Sequence, residues 1–281
     1  MLSAQQISGM QELRQADPER YLATLYAPED KREALAVLYL FNVEIAAIRD
    51  RIHEPLPGEI RVQWWRDVLA GNGEGAEGHP LAERLIAVMK AHSLPKEAFD
   101  RYLEARIFDL YDDPIPSRND LEGYCGDTAS TIIQLAALIL DPNEASRFAA
   151  AAGHGGCALA ISGLIRLLPV HTRRGQCYIP QDILQAAGTS RDEFVRAQAP
   201  EAAMRAMEAM IALGREHAGK LAADTKGMPP LLRPAFLPAA LAPAYFDAAS
   251  RRGFDPMQRV AEISALRRHW LLFRTASSGW R

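Results

Sequence analysis

The chain has 281 residues, of which 48% are hydrophobic, and a formal net charge of −3. Such a length can bury a large core, and the mild acidity excludes a whole-molecule attraction to nucleic acid or anionic lipid, leaving only a local basic patch open. Cys125, Cys157 and Cys177 are scattered and form no C-x-x-C, which excludes a disulfide framework and a zinc knuckle. The first residues lack a basic region followed by an apolar one, and no apolar run reads as long enough to span a bilayer, so a cytoplasmic location is expected.

Helical periodicity runs through nearly every segment, and sustained alternation of strand type is missing. The first helix is expected to end before Asp17-Pro18. Residues 30–50 follow, with Leu35, Leu38, Phe41, Ile45 and Ile48 on one apolar face. Pro55-Leu56-Pro57-Gly58 is read as a break before a helix over 58–70 that carries Trp64-Trp65. A Gly-rich loop, 71–78, separates it from helices over 79–92 and 95–111. Ser117, with Asp120 three residues on, marks the start of a helix that runs to Leu140. The next begins near 143 and holds Gly153, Gly155, Gly156 and Gly163, a sign of close helix approach or of a ligand against the backbone.

Beyond Pro180 a short helix stops at Gly188, Ser190 and Glu193 form a capping box, and 199–223 is helical. Phe236–Ser250 reads as a core helix and 257–274 as the last one. Without an internal repeat or a Pro/Ser-rich linker, residues 1–281 are expected to form one all-α domain around a central cavity.

The stretch 163–180 gathers Arg166, Arg173, Arg174 and Tyr178 around a proline and a glycine, and contains no carboxylate. Guanidinium forks of this kind bind phosphate or carboxylate; neighbouring acidic residues would equally satisfy them. Asp50 has Ala46 four residues before it, and Glu44 lies about 240° around a helix from it. A lone carboxylate makes a poor magnesium site, because Mg²⁺ takes several hard oxygen ligands. No H-E-x-x-H, G-x-S-x-G, P-loop or G-x-G-x-x-G occurs. His154 and His171 are read as satisfied structural histidines, and Trp64-Trp65, Cys125 and Cys177 as packing. No catalytic or metal-ligating residue is assigned.

Taken in order, these segments resemble the squalene/phytoene synthase family. Phe41–Asp50 is similar to its first Asp-rich motif, Trp65-Arg66 to its W-R pair, and Tyr124-Cys125-x-x-Thr128-Ala129 to its Y-C-x-x-V-A. Residues 162–180 are similar to its second motif, with Arg166, Arg174, Gly175, Tyr178 and Pro180 matching. Phe236–Leu241 and Gly253–Pro256 resemble its C-terminal pattern. The departures fall on the motif acids: Ala46, Ala47, Leu167 and His171 stand in place of aspartates, and Val170 in place of a glutamate.

The resemblance implies an isoprenoid-synthase-like helical bundle. Active members hold Mg²⁺ on prenyl diphosphates with those acids, and the ions stabilise the departing diphosphate. One branch that also lacks the aspartates is described as acting in respiratory complex I biogenesis. Its match here includes Phe41–Glu44, Gln63–Trp65 and the basic pair before Tyr178-Ile179-Pro180. The expectation is therefore a non-catalytic assembly factor for complex I, partnered by its subunits or assembly intermediates, peripheral to the inner membrane and without a cofactor. Two alternatives stay open: a Mg-dependent prenyl-diphosphate synthase, and a non-catalytic protein that binds a prenyl diphosphate or lipid through Asp50, Arg166, Arg173, Arg174 and Tyr178.

Overall fold

Every regular element among residues 4–52, 54–111 and 113–280, which the computed structural model describes, is helical. The first are α1 (Ala4–Ala16), α2 (Pro18–Thr24), α3 (Glu29–Ala46), α4 (Pro55–Ala70) and α5 (Pro80–Ala91). Then come α6 (Lys96–Ile107), α7 (Arg118–Cys125), α8 (Thr131–Leu140), α9 (Pro142–Ala145) and α10 (Ala149–Arg166). Short pieces follow, α11 (Leu168–Arg173), α12 (Gln181–Ala186) and α13 (Arg191–Val195), before the 25-residue α14 (Pro200–Asp224). The chain closes with α15 (Arg233–Phe236), α16 (Ala242–Ala249) and α17 (Ala265–Ser278).

Two helices act as hubs. α3 is buried without interruption from Ala34 to Asn42. A helix apolar on all sides needs neighbours on all sides, and α1, α5 and α8 supply them. Leu35, Leu38, Phe41, Ile45 and Ile48 are all buried as their spacing predicts. Phe41 meets Trp65 and Phe99 edge-on, at 5.1 and 5.6 Å between ring centroids, the geometry that aromatic quadrupoles favour. The second hub is α10, packed along α14.

The expected helix starts hold. The Ser117 hydroxyl caps α7 by accepting from the Asp120 amide, and Ser190 with Glu193 forms the capping box of α13. Several boundaries differ. α3 stops at Ala46, and Arg49–Arg51 forms a 3₁₀ turn, so Asp50 leaves the helix axis; such tightening is common at helix ends. Pro55 and Pro57 open α4 rather than precede it, since a proline in the first turn has no needed N–H to lose. Phe236–Ser250 is buried but divided, with Leu237–Leu241 as a 3₁₀ segment between α15 and α16. The last helix begins at Ala265, where Ser264 provides a side-chain cap, eight residues later than its apolar pattern predicts.

One expectation is corrected by length. Pro142–Arg166 runs as 25 residues of helix, long and apolar enough to cross a membrane by length and composition. Of its most apolar stretch 56% is buried inside the fold, in keeping with its place against α14.

The glycines of α10 divide into two kinds. Between α7 and α8, Gly126–Ser130 forms a π turn that lies on α10, where the Ser130 hydroxyl donates to the Gly153 carbonyl at 3.1 Å. A Cβ on Gly156 would stand 2.4 Å from the Ser130 amide nitrogen, whereas Gly153 and Gly163 have open space at that position. Gly156 is thus required for close approach. Gly156→Ala should lower stability by about 1–3 kcal/mol, because backbone must move to admit the methyl. Gly153→Ala should be neutral or stabilising by up to ~1 kcal/mol. Urea unfolding midpoints of the two variants check this contrast.

Candidate functional site

A cavity of about 630 Å³ opens where segments from both hubs meet. Its wall carries Arg20, Arg49, Arg106, Arg166, Arg174 and Arg268 against four carboxylates, Asp17, Glu19, Asp50 and Asp109. Six guanidiniums against four acids leave the wall positive by two charges while His171 is neutral.

Each carboxylate is held by a guanidinium. At the α1–α2 corner Asp17 caps α2 by accepting from the Arg20 amide at 2.9 Å, and its other oxygen takes the Arg20 guanidinium at 2.6 Å. Glu19 receives Arg166 Nη1 at 3.4 Å, has Arg268 Nε at 3.7 Å, and accepts from the Tyr245 hydroxyl. The Arg166 guanidinium carbon lies 3.8 Å from the Tyr245 ring centroid, a cation–π contact. Burial, reinforced by the Glu19 charge, pushes the Tyr245 phenol up to about 12. Asp109 accepts from Arg106 Nη1 at 2.9 Å, from the Tyr124 hydroxyl at 2.7 Å and from the Tyr178 hydroxyl at 3.4 Å. Asp50 pairs with Arg174 across the mouth.

The second hub supplies the opposite wall. Pro169 lies in the first turn of α11, after α10 has stopped at Arg166, and Leu167 and His171 face the cavity. The His171 ring lies 4.9 Å from that of Tyr178. Burial, with Arg174 adding to it and Asp109 opposing, pushes the imidazole down to about 4, so it is neutral at pH 7. The π turn brings Thr128 and Ala129 onto the wall, and the Thr128 hydroxyl donates to the Tyr124 carbonyl at 2.6 Å.

The structure brings together four of the five residues singled out from sequence: Asp50, Arg166, Arg174 and Tyr178. Arg173 is not among them, being exposed and off the cavity wall. Consecutive residues of a helix are about 100° apart around its axis, so neighbouring arginines cannot share one face. Glu44 turns away to His79, the N-cap of α5, at 3.3 Å, and Arg66 binds Asp100 on α6 at 2.8 Å. His154 lies away from the cavity, its Nδ1 3.0 Å from that of His217, which meets Glu122 at 3.0 Å. All three cysteines are free and buried.

Sequence reasoning missed Glu19, Arg20, Arg106, Asp109 and Arg268. Arg106 and Asp109 stand three apart at the end of a helix, a spacing that places two side chains together. Nothing local marks Arg268 as a cavity residue.

A family model for squalene/phytoene synthases matches residues 13–270. The chain belongs to the squalene/phytoene synthase family. It is 31% identical over 185 residues to "NADH dehydrogenase (ubiquinone) complex I, assembly factor 6" of Rattus norvegicus, a match covering 66% of this chain. That match spans only 55% of the rat protein. It is also 28% identical over 171 residues to the presqualene diphosphate synthase of Rhodopseudomonas palustris, covering 60% of each. Among solved structures, a dehydrosqualene synthase in complex with ligand superposes with a TM-score of 0.81, over 96% of this chain and 95% of that one, at 16% identity. That likeness establishes the isoprenoid synthase type of fold.

The cavity lining bears directly on whether magnesium could be held here. Ala46, Leu167 and His171 all line the cavity, offering a methyl, an isobutyl and a neutral imidazole where hard oxygens would be needed. No group of three or more His, Cys, Asp or Glu among the described residues could hold a metal ion. The carboxylates that are present already serve guanidiniums. The donor set does not fit a magnesium–diphosphate centre.

Two consequences are measurable. Asp109→Ala leaves the buried Arg106 without its counter-ion and should cost about 3–5 kcal/mol in chemical unfolding. For His171, the folded pKa near 4 lies below the ordinary 6.5, so the unfolded chain takes up the proton first. Its contribution to stability is full above pH 6.5 and is lost as the pH falls toward 4. His171→Asn should therefore reduce the loss of stability over that window in a pH series of thermal melts.

Proposed function

We infer that this chain is a non-catalytic member of its family that assists assembly of respiratory complex I from the cytoplasmic face of the inner membrane. Its cavity holds an anionic ligand, a prenyl diphosphate or a lipid headgroup, without metal. The observation that carries this is the charge of the wall: an excess of guanidiniums, with every wall carboxylate already engaged. A diphosphate ordinarily neutralised by Mg²⁺ would here be neutralised by charge-assisted hydrogen bonds from arginine. The assembly role is supported by the similarity to the rat assembly factor. The rival reading, a synthase, draws on the similarity to the presqualene diphosphate synthase, and the loss of hard ligands at positions 46, 47, 167 and 171 weighs against it.

Purified protein given farnesyl diphosphate and Mg²⁺ should form no presqualene diphosphate, squalene or phytoene above a no-enzyme control. Deleting the gene should lower NADH:quinone oxidoreductase activity in native membranes, and the intact chain should restore it. In calorimetry, farnesyl diphosphate should bind equally with and without EDTA and more weakly as salt rises. Arg174→Ala should weaken binding roughly tenfold. Turnover above control, or binding that requires Mg²⁺, would restore the synthase.

A further inference from the structure

We propose that α17 docks this chain on an anionic phospholipid bilayer, with Leu266, Trp270 and Phe273 entering the headgroup boundary. This names the surface behind the peripheral membrane contact in the reading above, and rests on that reading only for its biological setting.

The argument begins with burial. α17 packs inward through Leu272 and Thr275, which are almost fully buried. Its outer side should then be polar, as on an ordinary surface helix. Instead Leu266 is 82% exposed, Trp270 54% and Phe273 59%. At steps of four and three residues, these three side chains fall within an arc of about 60°. The helix is thus apolar on two opposite faces, and only one is covered by its own fold.

Charge then selects the occupant. Residues 251–281 contain seven arginines and two carboxylates, so this segment is positive by five in a chain whose net charge is −3. The rest of the chain is correspondingly negative by eight. α17 itself carries Arg267, Arg268 and Arg274, with no acidic residue between Ala265 and Ser278. Arg267 and Arg274 flank the apolar stripe on one side, about 90° from its centre, and the Arg274 guanidinium lies 4.8 Å from the Trp270 ring centroid. Arg251, Arg252 and Arg259 are exposed on the segment leading into the helix.

An exposed Leu/Trp/Phe stripe bordered by arginines is the composition of a helix lying in the bilayer interface, where tryptophan takes the headgroup level and guanidiniums meet lipid phosphate. A second copy of this chain would bring an equally positive segment to the same place. A stable protein interface draws on about 20–30 residues a side, and three side chains on one helix fall well short.

The placement of α17 also matters. Arg268 lies on the cavity wall near Glu19, while Leu266 and Trp270, two residues to either side, point to solvent. Docking through the stripe therefore holds one wall of the positively charged cavity against the lipid surface.

The full chain should float with vesicles of phosphatidylcholine containing a minority of phosphatidylglycerol, and not with pure phosphatidylcholine vesicles. Flotation should fall as salt is raised. The double variant Leu266→Gln, Phe273→Gln should bind the anionic vesicles at least about tenfold more weakly, with its circular dichroism and melting temperature unchanged, since both side chains are exposed. Should the variant fold poorly, the intact chain still decides the matter: lipids brominated near the headgroup should quench tryptophan fluorescence in anionic vesicles. No flotation with anionic vesicles, equal flotation with neutral ones, or unaltered binding by a folded variant would overturn the proposal. So would concentration-dependent self-association that the variant abolishes, in the absence of vesicle binding. The vesicles contain no complex I, so a failed assembly function leaves this result standing, and the reverse holds too.

Discussion

Glu19 is a nearly buried carboxylate with no charged partner nearby in sequence other than Arg20, which Asp17 occupies. It is neutralised from far along the chain, by Arg166 on α10 and Arg268 on α17, and it accepts from Tyr245 on α16. One oxygen atom therefore joins α2 to three elements of the C-terminal half. Stripping either arginine would leave charge in a poorly solvated place, where a missing partner costs far more than the pair itself contributes. Segments that line the cavity are thus clasped together at this one carboxylate.

The same logic explains how a cavity lined by six arginines holds together with four carboxylates. Without acidic partners, a wall of arginines would repel itself. Here Asp17, Glu19, Asp50 and Asp109, from the α1–α2 corner and from 3₁₀ turns after α3 and α6, partly balance them. By count the wall keeps two more guanidiniums than carboxylates. Stability and binding are thus served by the same side chains, and a substitution such as Asp109→Ala tests the first without touching the arginines themselves.

Much of this was legible in the sequence where it depends on local spacing. The buried face of α3, the caps at Ser117 and Ser190, and the gathering of Arg166, Arg174 and Tyr178 follow from helix period, cap chemistry and family resemblance. What escaped depends on long-range fit. Glu19 meets Arg166 across 147 positions and Asp50 meets Arg174 across 124, and no local pattern encodes such a meeting. The π turn at Gly126–Ser130 depends on the bare backbone of Gly156 on another helix. α17 starts later than its apolar period predicts, because that period extends into residues 257–264, which form a short turn and then irregular chain, while the Ser264 cap is a weaker signal.

The pairing of Asp50 with Arg174 has a further meaning for entry into the cavity. Unlike Asp109, these partners sit half in water, with side-chain exposures of 54% and 43%, and such pairs contribute only about 0–1 kcal/mol. An anion reaching Arg174 competes with Asp50 for the guanidinium, so occupation is in part an exchange of one anion for another. A monovalent carboxylate gains little from that exchange, since it replaces like with like. A group bearing two or more charges on one centre gains at each step, and the freed aspartate simply hydrates. The mouth is in this sense a valence filter, with an internal competitor setting the threshold that an incoming ligand must exceed.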